Sequence, residues 1–159
     1  MKHLPKHLRP RWRYLAISIE SWPDTTVDRR AFQRELWYAA QNLLGDPGSA
    51  EAELSVVRFR WSEGQGQAIV KVRRGTEGPA RAALACVDRI DGNPVGLVVR
   101  GIGGTIRAAE ERLLRGRGNS RTERTVVFEN AERVGVERTE TVDVQIDDAF
   151  VGATALDVT

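Results

Sequence analysis

One cysteine, one methionine, two histidines and three lysines in 159 residues leave little material for several kinds of chemistry. With Cys86 alone there is no disulfide framework and no thiolate metal cluster. It falls in an apolar run of helical spacing and reads as core. His3 and His7 stand four apart near the N-terminus, but Pro5 lies between them and no carboxylate is close, which argues against a helical metal chelate. Two terminal histidines cannot supply a Ser-His-Asp set either. The acid pairs Glu110-Glu111 and Asp147-Asp148 read as solvated charges rather than as an acid/base couple or a magnesium site. No stretch has the length or apolar density to cross a membrane, and no signal-type apolar segment follows the basic start. The expectation is a soluble, cytoplasmic protein with no bound metal, no catalytic residue of its own and no membrane partner.

What the chain has in plenty is arginine, since Lys2, Lys6 and Lys71 are the only lysines among 24 Lys+Arg. Arginine forks phosphates bidentately; a GC-rich genome or life in high salt gives the same bias. Placement says more than the ratio. Residues 1–118 hold 20 Lys+Arg against 13 Asp+Glu, and residues 119–159 hold 4 against 9, so a net charge of +2 averages a basic body and an acidic tail. Lys2, Lys6, Arg9, Arg11 and Arg13 come before any acid and lead straight into an alternating strand, as in a protein anchored on a phosphate backbone. The chain therefore divides into a basic arm (1–13), an α+β domain (12–118) and an acidic extension (119–159) that adds a strand or two or stays loose.

Within the domain the hydrophobic period switches repeatedly. Trp12 to Ser21 alternates, with Leu15, Ile17 and Ile19 on one face. From about Asp28 to Leu44 the spacing is helical, with Phe32, Leu36, Ala39 and Leu43 on one stripe, and Gly45-Asp46-Pro47-Gly48 stops it. Leu54 to Trp61 and Gln67 to Arg73 read as a hairpin joined through Ser62 to Gly66. Gly78-Pro79 opens a second helix with Ala80, Ala83, Leu84, Val87 and Ile90 on one face, ended by Asp91-Gly92-Asn93-Pro94. Val95 to Ile102 is a fourth strand, and a third helix carries Ile106, Ala109 and Leu113. The order β-α-β-β-α-β predicts an α+β, ferredoxin-like or RRM-like antiparallel sheet with helices on one face, plus an additional C-terminal helix.

If the apolar sets face the helices, strand parity sends Arg58 and Arg60, Lys71 and Arg73, and Arg100 to the open face. The alternative is a solvated face shielded by arginine stems. The turn from Arg100 through Gly104 and Thr105 to Arg107 joins a strand end to a helix start through three glycines. It offers free backbone N–H groups to a phosphate or is a turn that simply needs glycine. It does not complete GxGxxG, because Ile106 occupies the last position. Strand three lacks the stacking aromatics of an RRM reader, so RNA contact here would be to phosphates and shape. An acylphosphatase reading fails on the Ser21-Trp22-Pro23-Asp24 loop, which has neither a glycine cradle nor an arginine.

Four blocks carry a resemblance. Leu4-Pro5-x-x-Leu8-Arg9-Pro10-Arg11-x-Arg13-Tyr14, Leu43-Leu44-Gly45-Asp46-x-Gly48-Ser49-Ala50, Ala68-Ile69-Val70-Lys71-Val72-Arg73, and Val98-x-Arg100-Gly101-Ile102-x-Gly104-Thr105-Ile106-Arg107 appear in order over about residues 1–115. Together they resemble the archaeal ribonuclease P protein component 2 family, which is shared with a eukaryotic RNase P/MRP subunit. The resemblance leads one to expect serine at Gly103, and the acidic tail lies outside it. It implies a non-catalytic subunit of the endonuclease that removes the 5′ leader of precursor tRNA, with the magnesium-dependent active site held by the RNA. It further implies ribonuclease P RNA, a TIM-barrel-like protein subunit in a two-plus-two assembly, and other ribonuclease P proteins as partners. The RNA-binding set is then Lys2, Lys6, Arg9, Arg11, Arg13, Arg58, Arg60, Lys71, Arg73, Arg100, Gly104, Thr105 and Arg107. The alternative is a protein–protein interaction module with only incidental RNA contact, which salt dependence would separate from an RNA binder.

Overall fold

The structure is a computed structural model that describes residues 4–115, 122–137, 141–147, 149–154 and 156–159. It divides into two compact units, Met1–Arg115 and Gly116–Thr159. In the first, a short 3₁₀ turn (Lys6–Leu8) leads to β1 (Trp12–Glu20), α1 (Arg29–Ala52), β2 (Ser55–Ser62), β3 (Gln65–Arg73) and α2 (Glu77–Ala85). Two short strands, β4 (Arg89–Ile90) and β5 (Asn93–Pro94), precede β6 (Gly96–Gly103) and α3 (Ile106–Arg115). The sheet order is β2-β3-β1-β6, and every neighbouring pair is antiparallel. The unit is an α+β protein.

Burial explains why these segments take these forms. Leu15, Ile17 and Ile19 of β1, Val56 of β2, and Ala68, Val70 and Val72 of β3 form one core with Phe32 and Leu36 of α1 and Ala80, Ala83 and Leu84 of α2. Asp28 starts α1 by accepting a hydrogen bond from the Ala31 N–H at 2.7 Å. The expected stop at Gly45 is a kink: Gly45 has φ 72° and ψ 174°, and helix resumes through Pro47 to Ala52. The buried stripe of α1 is Ala31, Phe32, Leu36 and Ala40, while Leu43 stands exposed and Leu44 packs in its place. Gln33 donates to the Leu54 carbonyl and accepts from the Val56 N–H, and Arg29 donates twice to the Val56 carbonyl. The helix thus satisfies part of the β2 edge as a neighbouring strand would.

Three expectations are corrected here. α2 ends at Ala85, so Val87 and Ile90 are buried from the loop and the β4–β5 hairpin rather than from the helix. Cys86 caps α2 and is exposed, not core, because the helix stops just before it. The third concerns the face expected to be open. α3 lies across it, and Ala109 and Leu113 pack on Ala16 and Ile69 with Tyr14, Val57 and Ile106 around them. The apolar residue that pattern reading missed is Ile69, buried on the face of β3 that it shares with Gln67 and Lys71. A bulge between Val56 and Arg58 also turns Val57 toward α3, so it does not share a face with Phe59 and Trp61.

The second unit is a meander of β7 (Thr122–Phe128), β8 (Ala131–Glu137), β9 (Thr141–Ile146) and β10 (Ala149–Thr154), hydrogen-bonded in chain order. Four strands with a small core of Val126, Val142, Val144, Ala153 and Val158 stand where a loose segment or a strand or two was expected. Thr159 exchanges two backbone hydrogen bonds with Val127. Asp157 accepts from the Thr154 N–H at 2.9 Å and from its hydroxyl at 2.7 Å, and these bonds hold its carboxyl below the usual carboxylate range. A carboxylate whose folded value is lowered contributes stability above its unfolded value and loses it as pH falls through the folded one. An NMR titration is expected to place the Asp157 midpoint below that of a free aspartate, and Thr154→Ala to raise it only part of the way back, because the backbone N–H at 154 still donates.

Candidate nucleic-acid interface

Register gathers charge at one end of the sheet. Trp12 stands opposite Arg73, and Tyr14 stands opposite Lys71 on one side and Gly103 on the other. The start of β1 and the ends of β3 and β6 therefore coincide. Arg11, Arg13, Lys71, Arg73 and the turn from Gly103 to Arg107 meet there, and the Arg74 N–H donates to the Arg11 carbonyl at 2.9 Å to fix the exit of the arm. The Lys71 ammonium lies 4.1 Å from the Trp12 ring centroid and the Arg73 guanidinium 5.7 Å. Such contacts are worth about 0.5–1 kcal/mol at a wet site and hold both cations in place. Arg73 also pairs with Glu53, and its Nε is buried without a hydrogen-bond partner.

The glycine turn is more closely explained by packing than by dihedral freedom. A Cβ at Gly103 would sit 3.0 Å from the Ala108 Cβ and from the Ala109 nitrogen, so the expected serine there would push α3 away from β6. At Gly104 a Cβ would lie 3.0 Å from Arg13 Nη1, whose own Nε is 3.7 Å from Glu77. Thr105 accepts from the Ala108 N–H at 3.1 Å and so caps α3 itself. Arg107 is 91% exposed and 3.6 Å from Glu111. The turn presents Arg13 and Arg107 to solvent over a capped helix start.

The other expected cations separate. Arg58, exposed on the edge strand β2, lies 3.7 Å from Glu110 of α3 and is paired with it. Arg60 pairs in register with Gln67, which is opposite Ser18, and the Arg100 Nε donates to the Ser18 hydroxyl at 3.1 Å. These two arginines stand exposed on the opposite edge strands β2 and β6, at either end of a row through Gln67 and Ser18 and away from the strand-end cluster. Lys6 and Arg9 are exposed in the arm, with Arg9 Nε donating to the Leu4 carbonyl at 2.8 Å. Lys2 and His3 lie outside the described residues. Sequence reasoning missed the platform role of Trp12, and it missed Arg112, whose side chain crosses the backbone at Gly101. Parity could have found Trp12, because it shares a face with Lys71 and Arg73. Arg112 had no signal until α3 was known to fold back onto the sheet.

Among the described residues no group of three or more His, Cys, Asp or Glu side chains converges to hold a metal, and no helix is long and apolar enough to cross a membrane. Geometry and charge define an α+β protein whose distinctive chemistry lies in ordered surface cations. The chain belongs to the Rpp14/Pop5 family, whose model matches residues 13–114. It is 56% identical to a Natronomonas pharaonis protein named Ribonuclease P protein component 2, over 99% of this chain and 98% of that one. A Methanosarcina barkeri protein of the same name is 32% identical over 72% of this chain and 80% of its own length. A chain in the cryo-EM structure of yeast Ribonuclease MRP matches with a TM-score of 0.49 at 16% identity, covering 69% of this chain and 89% of that one. The family match ends within α3, so the second unit falls outside it, while the likeness to the Natronomonas protein extends through both.

Proposed function

We propose that this chain serves as the component 2 subunit of ribonuclease P, binding and supporting the RNA that removes the 5′ leader of precursor tRNA. One observation carries the reading: full-length likeness to a protein of that name, in a chain whose strand ends collect Arg11, Arg13, Lys71 and Arg73. The chain supplies no catalytic residue in this proposal; the RNA holds the magnesium and performs the phosphodiester hydrolysis. The protein's cations neutralise phosphates that crowd as the RNA folds. The strand order β2-β3-β1-β6, with two interleaved βαβ units, supports a ferredoxin-like reading of the first unit in which α3 is an added layer. The partners in this reading are ribonuclease P RNA, a TIM-barrel-like protein subunit in a two-plus-two assembly and other ribonuclease P proteins, in the cytoplasm. The interaction-module alternative is not favoured.

Isolation of the tagged chain at native salt is expected to recover a ribonuclease P RNA and activity that removes a 5′ leader from precursor tRNA. A protein partner without enriched RNA or cleavage would overturn the reading. On the recovered RNA, binding should weaken with salt, and Arg60→Ala with Arg100→Ala should reduce the slope of log affinity against log salt by about 1.5. An unchanged slope would remove that pair of arginines from the interface.

A further inference from the structure

The outer surface of α1, on the side of the sheet opposite α3, holds an open cleft of about 840 Å³ that the basic clusters do not explain. Its lining contains Arg29, Arg30, Arg34, Trp37, Tyr38 and Gln41, and no carboxylate. Trp37 and Tyr38 are 52% and 53% exposed, an unusual outlay of aromatic surface on a helix whose buried stripe is already complete. The indole N–H of Trp37 donates to the Leu54 carbonyl at 3.0 Å, which pins the ring on the β2 edge while half of it stays in water. Arg29 is committed to the Val56 carbonyl and Arg34 pairs with Asp91, so both cations are ordered beside the rings. Arg30 is exposed.

We infer that this cleft binds a single-stranded segment of RNA, with bases stacked on Trp37 and Tyr38 and phosphates on Arg30 and Arg34. The inference rests on the ribonuclease P reading and adds to it a second contact, on the opposite side of the sheet from Arg60 and Arg100. Three features favour this occupant. A pinned indole face with an exposed tyrosine next to it and guanidinium groups in the same lining can stack unpaired bases without regard to sequence. Gln41 brings an amide that can hydrogen-bond a base edge. With Arg34 paired to Asp91, Arg29 and Arg30 still leave the lining net positive, which matches a polyanion. Double-stranded RNA has its bases already stacked and would gain nothing from the rings.

The test uses the full chain with a labelled 12-nucleotide oligouridine and a 12-base-pair RNA duplex as probes. Ultraviolet crosslinking and mass spectrometry are expected to find uridine adducts on the peptide carrying Trp37 and Tyr38. Arg30→Ala with Tyr38→Ala, two exposed positions whose loss leaves the core intact, should lower single-strand affinity at least about fivefold and leave duplex affinity within about twofold. Trp37→Phe keeps a ring but should abolish the part of the tryptophan quenching that the oligouridine causes. Adducts only elsewhere with unchanged affinity in the double variant would overturn the inference, while loss through Arg60→Ala and Arg100→Ala would still leave the ribonuclease P reading standing. If the wild-type chain binds neither probe nor the RNA recovered with it from cells, both fall. Loss of a copurifying protein from the double variant, with RNA retention unchanged, would also overturn the inference by giving the cleft to a protein.

Discussion

Gly64→Ala is expected to destabilise the first unit by about 3–5 kcal/mol and to lower its thermal midpoint by at least about 10 °C. Gly64 follows Glu63 in the two-residue turn between β2 and β3, and both have positive φ, 48° and 74°. An alanine would pay for the left-handed backbone, about 1 kcal/mol. The larger cost is steric. Its Cβ would stand 2.3 Å from the Trp22 carbonyl oxygen and 2.7 Å from its carbon, both backbone atoms that no rotamer can move. That approach exists because the Ser21 N–H donates to the Gly64 carbonyl at 2.7 Å, and the Ser21 hydroxyl donates to the Pro94 carbonyl at 2.6 Å. The turn therefore ties the end of β1 to the hairpin, and relieving the clash breaks the tie. Gly78→Ala is the control: it lies in α2 with open space at the Cβ and should be neutral or stabilising by up to about 1 kcal/mol. Thermal melts of the three chains decide it, and equal midpoints for Gly64→Ala and wild type would refute the account.

The second large effect concerns function. Alanine at Arg9, Arg11 and Arg13 together is expected to raise the magnesium concentration needed for precursor tRNA cleavage by the reconstituted enzyme several-fold. It should also weaken the RNA complex on the order of a hundredfold, at roughly 1 kcal/mol per phosphate contact. Stability should change little. Arg13 loses a partly exposed ion pair with Glu77 at 3.7 Å, worth at most about 1 kcal/mol, and the arm stays attached because the Arg11 carbonyl still accepts from the Arg74 N–H. Magnesium should compensate because it neutralises the same phosphates. If activity at low magnesium were unchanged in the triple variant, the arm would have no part in supporting the RNA.

Much of the first unit was legible because its strands obey period two and its helices period 3.6. Leu15, Ile17 and Ile19 declare one face of β1, and Phe32 and Leu36 declare one face of α1. Where reading failed, the cause was tertiary. Ala16 and Ile69 look like interruptions of an exposed face until α3 covers them. Cys86 sits in an apolar run, but the helix ends just before it and turns it outward. The candidate interface was legible as a set of residue types and illegible as an arrangement. Parity puts Trp12 on the face of Lys71 and Arg73, yet only the register brings the ring within reach of both cations, and only α3 explains why Arg58 is paired with Glu110 while Arg60 is not. Trp37 and Tyr38 fell off the apolar stripe of α1, and a helix pattern gives no reason to look at what lies off it.

The layering has a consequence for how the molecule breathes. With helices on both sides, β1 and β3 each bury three residues in succession, Leu15-Ala16-Ile17 and Ala68-Ile69-Val70, so neither strand has a wet face at its centre. Their amides can meet solvent only when the whole unit opens, which makes them the slowest to exchange hydrogen for deuterium. Trp12, Lys71 and Arg73 are mounted on the ends of these same strands, one to three residues beyond the dry segment. The cations that would hold an RNA are thereby carried by the last part of the unit to come apart, and a partner gripping them pulls against its global stability rather than against a fraying edge.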